Sequence, residues 1–305
     1  MKTLDQIEKD LFREVADINE IPQGAFNFRI NGEAVGRQSS ASINVEPQKG
    51  GLKITVKPNT KDDVVHIPVI ITKTGFTETV INDFYIGDNA DVTIVAGCGI
   101  YNCGASRSEH NGVHTFHIGK NAKVKYIEKH YGAGPSTGKW INPTTKVYLG
   151  ENSYAELELE QIRGVDSTDR ITEAELKDGA KILIHEKMLT QGRQHAKSHI
   201  EALLLGKDSV ADIVSRSVAT DESRQEFTLH IEGDNECRGH SECDAILQDK
   251  GSVIATPSLD AKHVDAQLVH EAAIGKIAGE QLTKLMSLGL TQLQAESQII
   301  NGFLK

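Results

Sequence analysis

Apolar residues in this chain recur in short alternating runs separated by Gly, Asn and Asp, and one arrangement returns six times. An apolar residue, a few polar or Gly positions and a small residue, then a return to apolar, make up IGDNADV from Ile86, IGKNAKV from Ile118 and LGENSYA from Leu149. The same pattern continues in LKDGAKI from Leu176, LGKDSVA from Leu205 and LQDKGSV from Leu247. The first residues step by 32, 31, 27, 29 and 42. A loose period of this size is the mark of a solenoid, in which each unit buries its apolar face only against its neighbours. Alternating runs such as Val124–Ile127, Ala155–Leu159 and Ile182–Ile184 follow the turns and read as half-buried strands. The pattern predicts a mainly β, stacked β-solenoid. A β-sandwich is the competing reading, but its strands repeat at roughly 8–12 residues and have no reason to echo near thirty.

The ends of the chain change period. Leu4, Ile7, Leu11, Val15 and Ile18 share one helical face, Thr3 with Gln6 has the form of a capping box, and Pro22 stops the run. Near the other end, Leu282, Leu285, Met286 and Leu288 form a short apolar face closed by Gly289, and Thr291 with Gln294 opens a second helix through Phe303. Helices this short must dock on something, either the last coil as a cap or a partner. The expected organisation is a helical segment over 1–30, a β-helix core over 31–268 and a C-terminal helical segment over 269–305.

Composition narrows the partners. A net charge of −10 and a pI near 5.7 argue against nucleic acid and anionic membrane surfaces. No apolar run reaches the roughly 18 residues of a membrane span, and Asp5, Glu8, Asp10, Glu14 and Asp17 interrupt any signal-peptide core. The expected compartment is cytoplasmic, where the four cysteines are reduced thiols.

The candidate chemistry lies near the C-terminus. Cys237 and Cys243 in ECRGHSECDA precede His270 and Glu271 in AQLVHEAAIGKI, a set of soft and borderline ligands. If one coil takes about thirty residues, the 27 residues from Cys243 to His270 return to nearly the same angular position one layer along. Cys237 lies an even six residues before Cys243, although Gly239 interrupts the run. Adjacent residues on a strand face opposite ways, so His270 and Glu271 reach one site only where the strand ends. A second group, Cys98, Cys103, His110, His114 and His117, fits no standard zinc spacing. Five repeat steps place it roughly 24 Å from the first group, too far for one metal ion. A buried reduced cysteine acting as a small apolar residue is an equal reading for Cys103.

From Cys243 onward, the Cys-Asp dipeptide, the TPSL turn, AQLVHEAAIGKI, the GEQL helix start and the closing INGF resemble the C-terminal signature of the SufB/SufD family of iron–sulfur cluster assembly proteins. The match is specific over about residues 237–304, and looser upstream, where the coils and Cys98 are similar to the family's β-helix. The resemblance implies a right-handed parallel β-helix with an N-terminal helix and a C-terminal helical cap that docks an ATPase. It implies a scaffold rather than an enzyme, holding a nascent iron–sulfur cluster and passing it to apo iron–sulfur proteins. A SufC-like ABC-type ATPase and a sulfur donor such as a cysteine desulfurase are the implied partners. Carried over, Cys243 matches the cluster-assembling cysteine, with Glu271 beside it and His270 common to both family types. Cys98 resembles the cysteine that receives sulfur and passes it along the interior, and Cys103 is grouped with it as a relay residue. Cys237 completes the candidate metal set. The chain is shorter than the usual SufB, which points to a minimal system with a homodimer in place of a second SufB/SufD-type subunit. Alternatives are a SufD-like structural partner without its own cluster and a carbohydrate-active β-helix enzyme, though no distinctive acidic pair marks the latter. No G-x-G-x-x-G or Walker loop is present, so ATP is a partner's work and a flavin has no motif to support it.

Overall fold

Alternation at period two dictates the architecture. In the computed structural model, which describes residues 4–18 and 22–305, most of the chain is extended and nearly every strand points one set of side chains inward. Helix α1 (Gln6–Ala16) leads into β1 (Ala25–Ile30), β2 (Glu33–Gln38), β3 (Ile43–Gln48), β4 (Gly51–Val56), β5 (Asp63–Ile71), β6 (Thr77–Ile86) and β7 (Asp91–Tyr101). The middle comprises β8 (Ser108–Ile118), β9 (Lys123–Ala133), β10 (Lys139–Ile141), β11 (Thr144–Leu149), β12 (Tyr154–Arg163), β13 (Ser167–Leu176) and β14 (Lys181–Thr190). The chain closes with β15 (His195–Leu204), β16 (Val210–Ala219), β17 (Arg224–Gly233), β18 (Arg238–Leu247), β19 (Ser252–Ala261), β20 (Gln267–Gly275), α2 (Gly279–Ser287) and α3 (Gln292–Phe303).

The strands form two facing sheets. One runs β2-β1-β5-β7-β9-β12-β14-β16-β18-β20, the other β19-β17-β15-β13-β10-β8-β6-β4-β3, with β11 also joining β8 and β13. Pairing is parallel except for β1 with β2 and β3 with β4. Parallel partners one coil apart exclude the sandwich and give a β-solenoid of about eight turns. Strands begin at Ala25 and continue to Gly275, beyond the expected 31–268 core at both ends, because AFNFRI and AQLVHEAAIG keep strand-like alternation and pair with neighbouring coils.

Left-handed Asn and Asp residues turn the corners. Asn89, Asn121, Asn152 and Asp208 all have φ between 54° and 58°, where a short polar side chain tolerates the strain and glycine is the usual alternative. The first five repeated segments occupy one corner of successive coils. The sixth lies on the opposite corner, between β18 and β19, which explains its step of 42: both corners use the same Asp/Gly chemistry, as at Asp249. The missing member of the first corner is Gly233–Cys237, where the Asp208 N–H donates to the Glu236 carbonyl.

The core consists of columns of stacked inward residues. One column is Ile94, Tyr126, Leu157, Ile184 and Ile213, and Phe84 stacks flat on Phe116 in the opposite sheet at 4.3 Å between ring centroids. Each fully buried Leu or Ile contributes about 1.5–3 kcal/mol, so a stack of aliphatic residues holds the coils without many aromatics. Helix α1 lies against β5, β7 and β9. A Cβ at Gly97 would sit 2.6 Å from the Val15 carbonyl oxygen, so glycine permits the close approach of helix and wall. The helix starts on Asp5, whose side chain accepts from the Glu8 N–H in a capping box; Thr3, the expected cap, lies outside the described residues. At the other end α3 has the anticipated Thr291–Gln294 box. Helices α2 and α3 pack chiefly on each other, and α2 buries no residue. The inward positions of β19 are therefore left open, with Leu259 39% exposed. No helix among the described residues is long and apolar enough to cross a membrane.

Candidate functional site

Two inward columns change character toward the C-terminal coils. The column of Ile94, Tyr126, Leu157, Ile184 and Ile213 continues into Ser241 on β18 and His270 on β20. The neighbouring column runs Ala96, Glu128, Leu159, Glu186, Ser215, Cys243 and Ala272. The parallel register fixes the relation of the two candidates: Ser241 opposes His270, whereas Cys243 opposes Ala272. The coil return is therefore 29 residues, and Cys243 and His270 are diagonal neighbours on one interior face. Their Cα atoms are roughly 8 Å apart, given a strand spacing of about 4.8 Å and a two-residue offset.

Ser241 Oγ lies 2.8 Å from His270 Nδ1, and buried His270 Nε2 has no hydrogen-bond partner. An orphaned ring nitrogen costs stability unless something binds it. Cys243 is fully buried, and burial, reinforced by Glu186 and Asp244, pushes its thiol up to about 12. A thiol raised this far keeps its proton at neutral pH. A soft sulfur and an unpartnered imidazole on one interior face fit iron–sulfur cargo as donors.

The other expected residues separate. Cys237 is buried inward at the corner before β18, but six residues of extended chain hold it roughly 20 Å from Cys243, beyond sharing an ion within one chain. Glu271 projects outward, opposite to His270, and its carboxylate approaches His240 Nε2 at 3.9 Å. Cys98 is buried inward on β7, five strand steps from β18, which reproduces the expected separation of roughly 24 Å. Burial, with Glu78 and Glu128 nearby, raises its thiol well above the ordinary range. Cys103 is exposed on the loop after β7, so it is not the small buried core residue weighed above. His110 and His114 face inward and His117 outward, stacked between Tyr85 and Tyr148, so the Cys/His group does not converge. All four cysteines are free thiols.

Sequence reasoning missed the polar network between Cys98 and Cys243. His114 Nδ1 meets the Tyr126 hydroxyl at 2.7 Å, and Tyr126 donates to Glu128 at 2.8 Å. Arg170, fully buried, donates to Glu128, approaches His130 Nδ1 at 3.1 Å and reaches Glu186 at 3.5 Å. Glu186 accepts from Ser198 and from Ser215, the residue in register with Cys243. A signal was present in VKYIEKHY: Tyr126, Glu128 and His130 share the parity of Val124, so polar groups occupy core positions.

A two-sheet solenoid with a cysteine and a histidine on one interior face of its last coils defines the class, a β-helical protein. The SufBD core domain of the SUF system for Fe–S cluster assembly matches residues 72–303, and the chain belongs to the SufBD family of iron–sulfur cluster assembly proteins. It is 27% identical over 283 residues to an iron–sulfur cluster assembly SufBD family protein of Methanothermobacter thermautotrophicus, covering 87% of this chain and 65% of that protein. An Archaeoglobus fulgidus protein of the same description is 29% identical over 220 residues, 72% of this chain and 58% of its own length. One from Methanocaldococcus jannaschii is 27% identical over 255 residues, 83% and 80% of the two chains. The chain thus spans less than two thirds of the length of the first two of these relatives.

Proposed function

We infer that this chain is a scaffold subunit that holds a nascent iron–sulfur cluster on Cys243 and His270 and releases it to apo iron–sulfur proteins. The observation that carries this reading is the unpartnered, buried His270 Nε2 on the same interior face as the Cys243 thiol. Cys98 is the sulfur acceptor in this reading, with exposed Cys103 beside it. The Tyr126–Glu128–Arg170–Glu186–Ser215 chain is the polar route along the interior, since it occupies the space between the two thiols.

The open last coil supports a homodimer. Val253, Ala255, Pro257 and Leu259 stack on β17, yet Val253 and Ala255 are only partly buried, Pro257 and Leu259 are exposed, and β19 and β20 are the terminal strands of their sheets. An unpaired edge with exposed apolar inward positions is a template for pairing with a second copy. The dimer would bring two Cys243–His270 faces toward one junction and supply the further ligands a cluster needs. Helices α2 and α3 and the Leu288 that caps α2 expose Met286, Leu288 and Leu293, an apolar surface suited to a SufC-like ABC-type ATPase that drives opening. A cytoplasmic setting, with a cysteine desulfurase as sulfur donor, completes the reading.

The experiment is anaerobic loading with iron and sulfide followed by incubation with an apo-ferredoxin. Ferredoxin absorption and activity should appear in proportion to the cluster lost from the scaffold. A loaded chain that never matures the acceptor, with or without the ATPase and ATP, contradicts the scaffold role.

A further inference from the structure

Outside the wall that carries Cys243 and His270, the same two strands present a different donor set. His240, Glu242 and Glu271 each offer a ligand atom, and these atoms all lie within 4.8 Å of one another. They alternate with the interior residues: His240 and Glu242 flank Ser241, Glu242 precedes Cys243, and Glu271 follows His270. We propose that His240, Glu242 and Glu271 form a divalent-metal site on the outer face, selective for borderline ions such as Fe(II).

Two independent features support a cation here. The first is register. Elsewhere on this sheet outward carboxylates oppose cations or neutral residues, as Glu156 opposes Lys125, Glu160 opposes Lys187 and Glu158 opposes His185. Glu242 opposite Glu271 is the one registered pair of carboxylates on the sheet among the described residues. Like charges directly opposite are destabilising, and a cation between them reverses the sign. Arg216, 3.9 Å from Glu242, is a distant counter-ion, and Asp244 on the same face adds negative charge.

The second feature is the orientation of His240. Its Nδ1 lies 2.8 Å from Asp212 Oδ1, and a carboxylate only accepts, so the proton sits on Nδ1. That tautomer leaves the Nε2 lone pair directed toward Glu271, in the carboxylate–histidine–metal arrangement common to metal sites. Asp212 is a positioning residue. One imidazole and two carboxylates suit Fe(II), Mn(II), Co(II) and Zn(II), and open positions remain for water or an iron donor. As an iron station that feeds the interior, the site rests on the scaffold reading above; as a metal site it stands alone.

Co(II) titration of the full chain tests it, because d–d absorption reports geometry and a sulfur-to-metal charge-transfer band reports Cys243. In Cys243→Ser the proposal expects one saturable Co(II) with d–d bands and no charge-transfer band, displaced by Fe(II) under anaerobic conditions. Adding His240→Ala or Glu242→Gln should raise the Co(II) Kd at least tenfold, and Asp212→Asn should weaken it to a lesser degree, with circular dichroism unchanged. Unaltered affinity in both ligand variants, or no saturable binding in Cys243→Ser, overturns the site. Metal binding that survives while wild type fails to build a cluster supports the site and contradicts the scaffold reading alone.

Discussion

Ser241 Oγ lies 2.8 Å from His270 Nδ1, and this contact leaves the imidazole's other nitrogen unpartnered inside the last coils. A hydroxyl one strand away thus sets the ring's orientation on the same face as Cys243. Groups that hold a ligating imidazole by its other ring nitrogen are typically worth 10–100-fold in metal affinity. Ser241→Ala should therefore reduce retention of a reconstituted cluster by about tenfold or more without unfolding the chain. Chelator challenge followed by iron and sulfide analysis measures this; retention equal to wild type would remove Ser241 from the account.

Arg170 is the hub of the interior network, buried between Glu128 and Glu186. Truncating one partner of a buried ionic group typically costs 3–5 kcal/mol because the others remain charged and dry. Arg170→Ala should lower the thermal midpoint sharply, while the double variant with Glu128→Gln should recover part of the loss. Scanning calorimetry on the single and double variants gives the coupling; additive losses would argue against a shared network.

Acid should weaken the middle coils in a defined window. Burial lowers His114 to about 4 and His130 to about 3. Their unfolded counterparts titrate near 6.5, so as pH falls the unfolded state takes up protons first and gains stability. The contribution is complete above about pH 6.5 and is lost as pH falls toward 4, on the order of 3 kcal/mol for His114 alone. Glu128 extends the effect to lower pH: burial opposes its ionisation, but His130 and Arg170 outweigh burial and hold it at about 2. Urea midpoints at pH 7.5, 6 and 5 should fall in that order, and His114→Gln should flatten the trend.

The open end of the solenoid predicts its own variant. Leu259, inward on β19 and 39% exposed, would be covered in a homodimer built on the last coil. Leu259→Asp should convert a dimer to a monomer with an unchanged circular dichroism spectrum. Light scattering decides; a dimer that survives places the interface elsewhere.

The solenoid and the distance between Cys98 and Cys243 were legible because the corners need left-handed Asn, Asp or Gly, and those residues recur visibly. The finer register was not. The segment at Leu247 has the same turn chemistry as the others but belongs to the opposite corner, and corner residues do not reveal which corner they serve. The expected 27-residue return gave the correct neighbours, Cys243 and His270, but hid Ser241, which the 29-residue register sets opposite the histidine. Parity correctly warned that His270 and Glu271 face opposite ways. It could not show that Glu271 meets His240 and Glu242 outside, because that convergence depends on side chains from two coils. The buried Glu128, Arg170 and Glu186 escaped notice because charged residues in strands are normally solvated, and only register shows three of them sharing one interior.

The central claim is that the Cys243 thiol anchors a cluster inside the last coils. Anaerobic reconstitution of the full chain with 57Fe and sulfide, read by Mössbauer spectroscopy and visible absorption, tests it most directly. Wild type should show a cluster quadrupole doublet with matching sulfide content, and Cys243→Ser should lose both while Cys237→Ser keeps them. A Cys243→Ser chain that retains the full wild-type doublet would contradict the account.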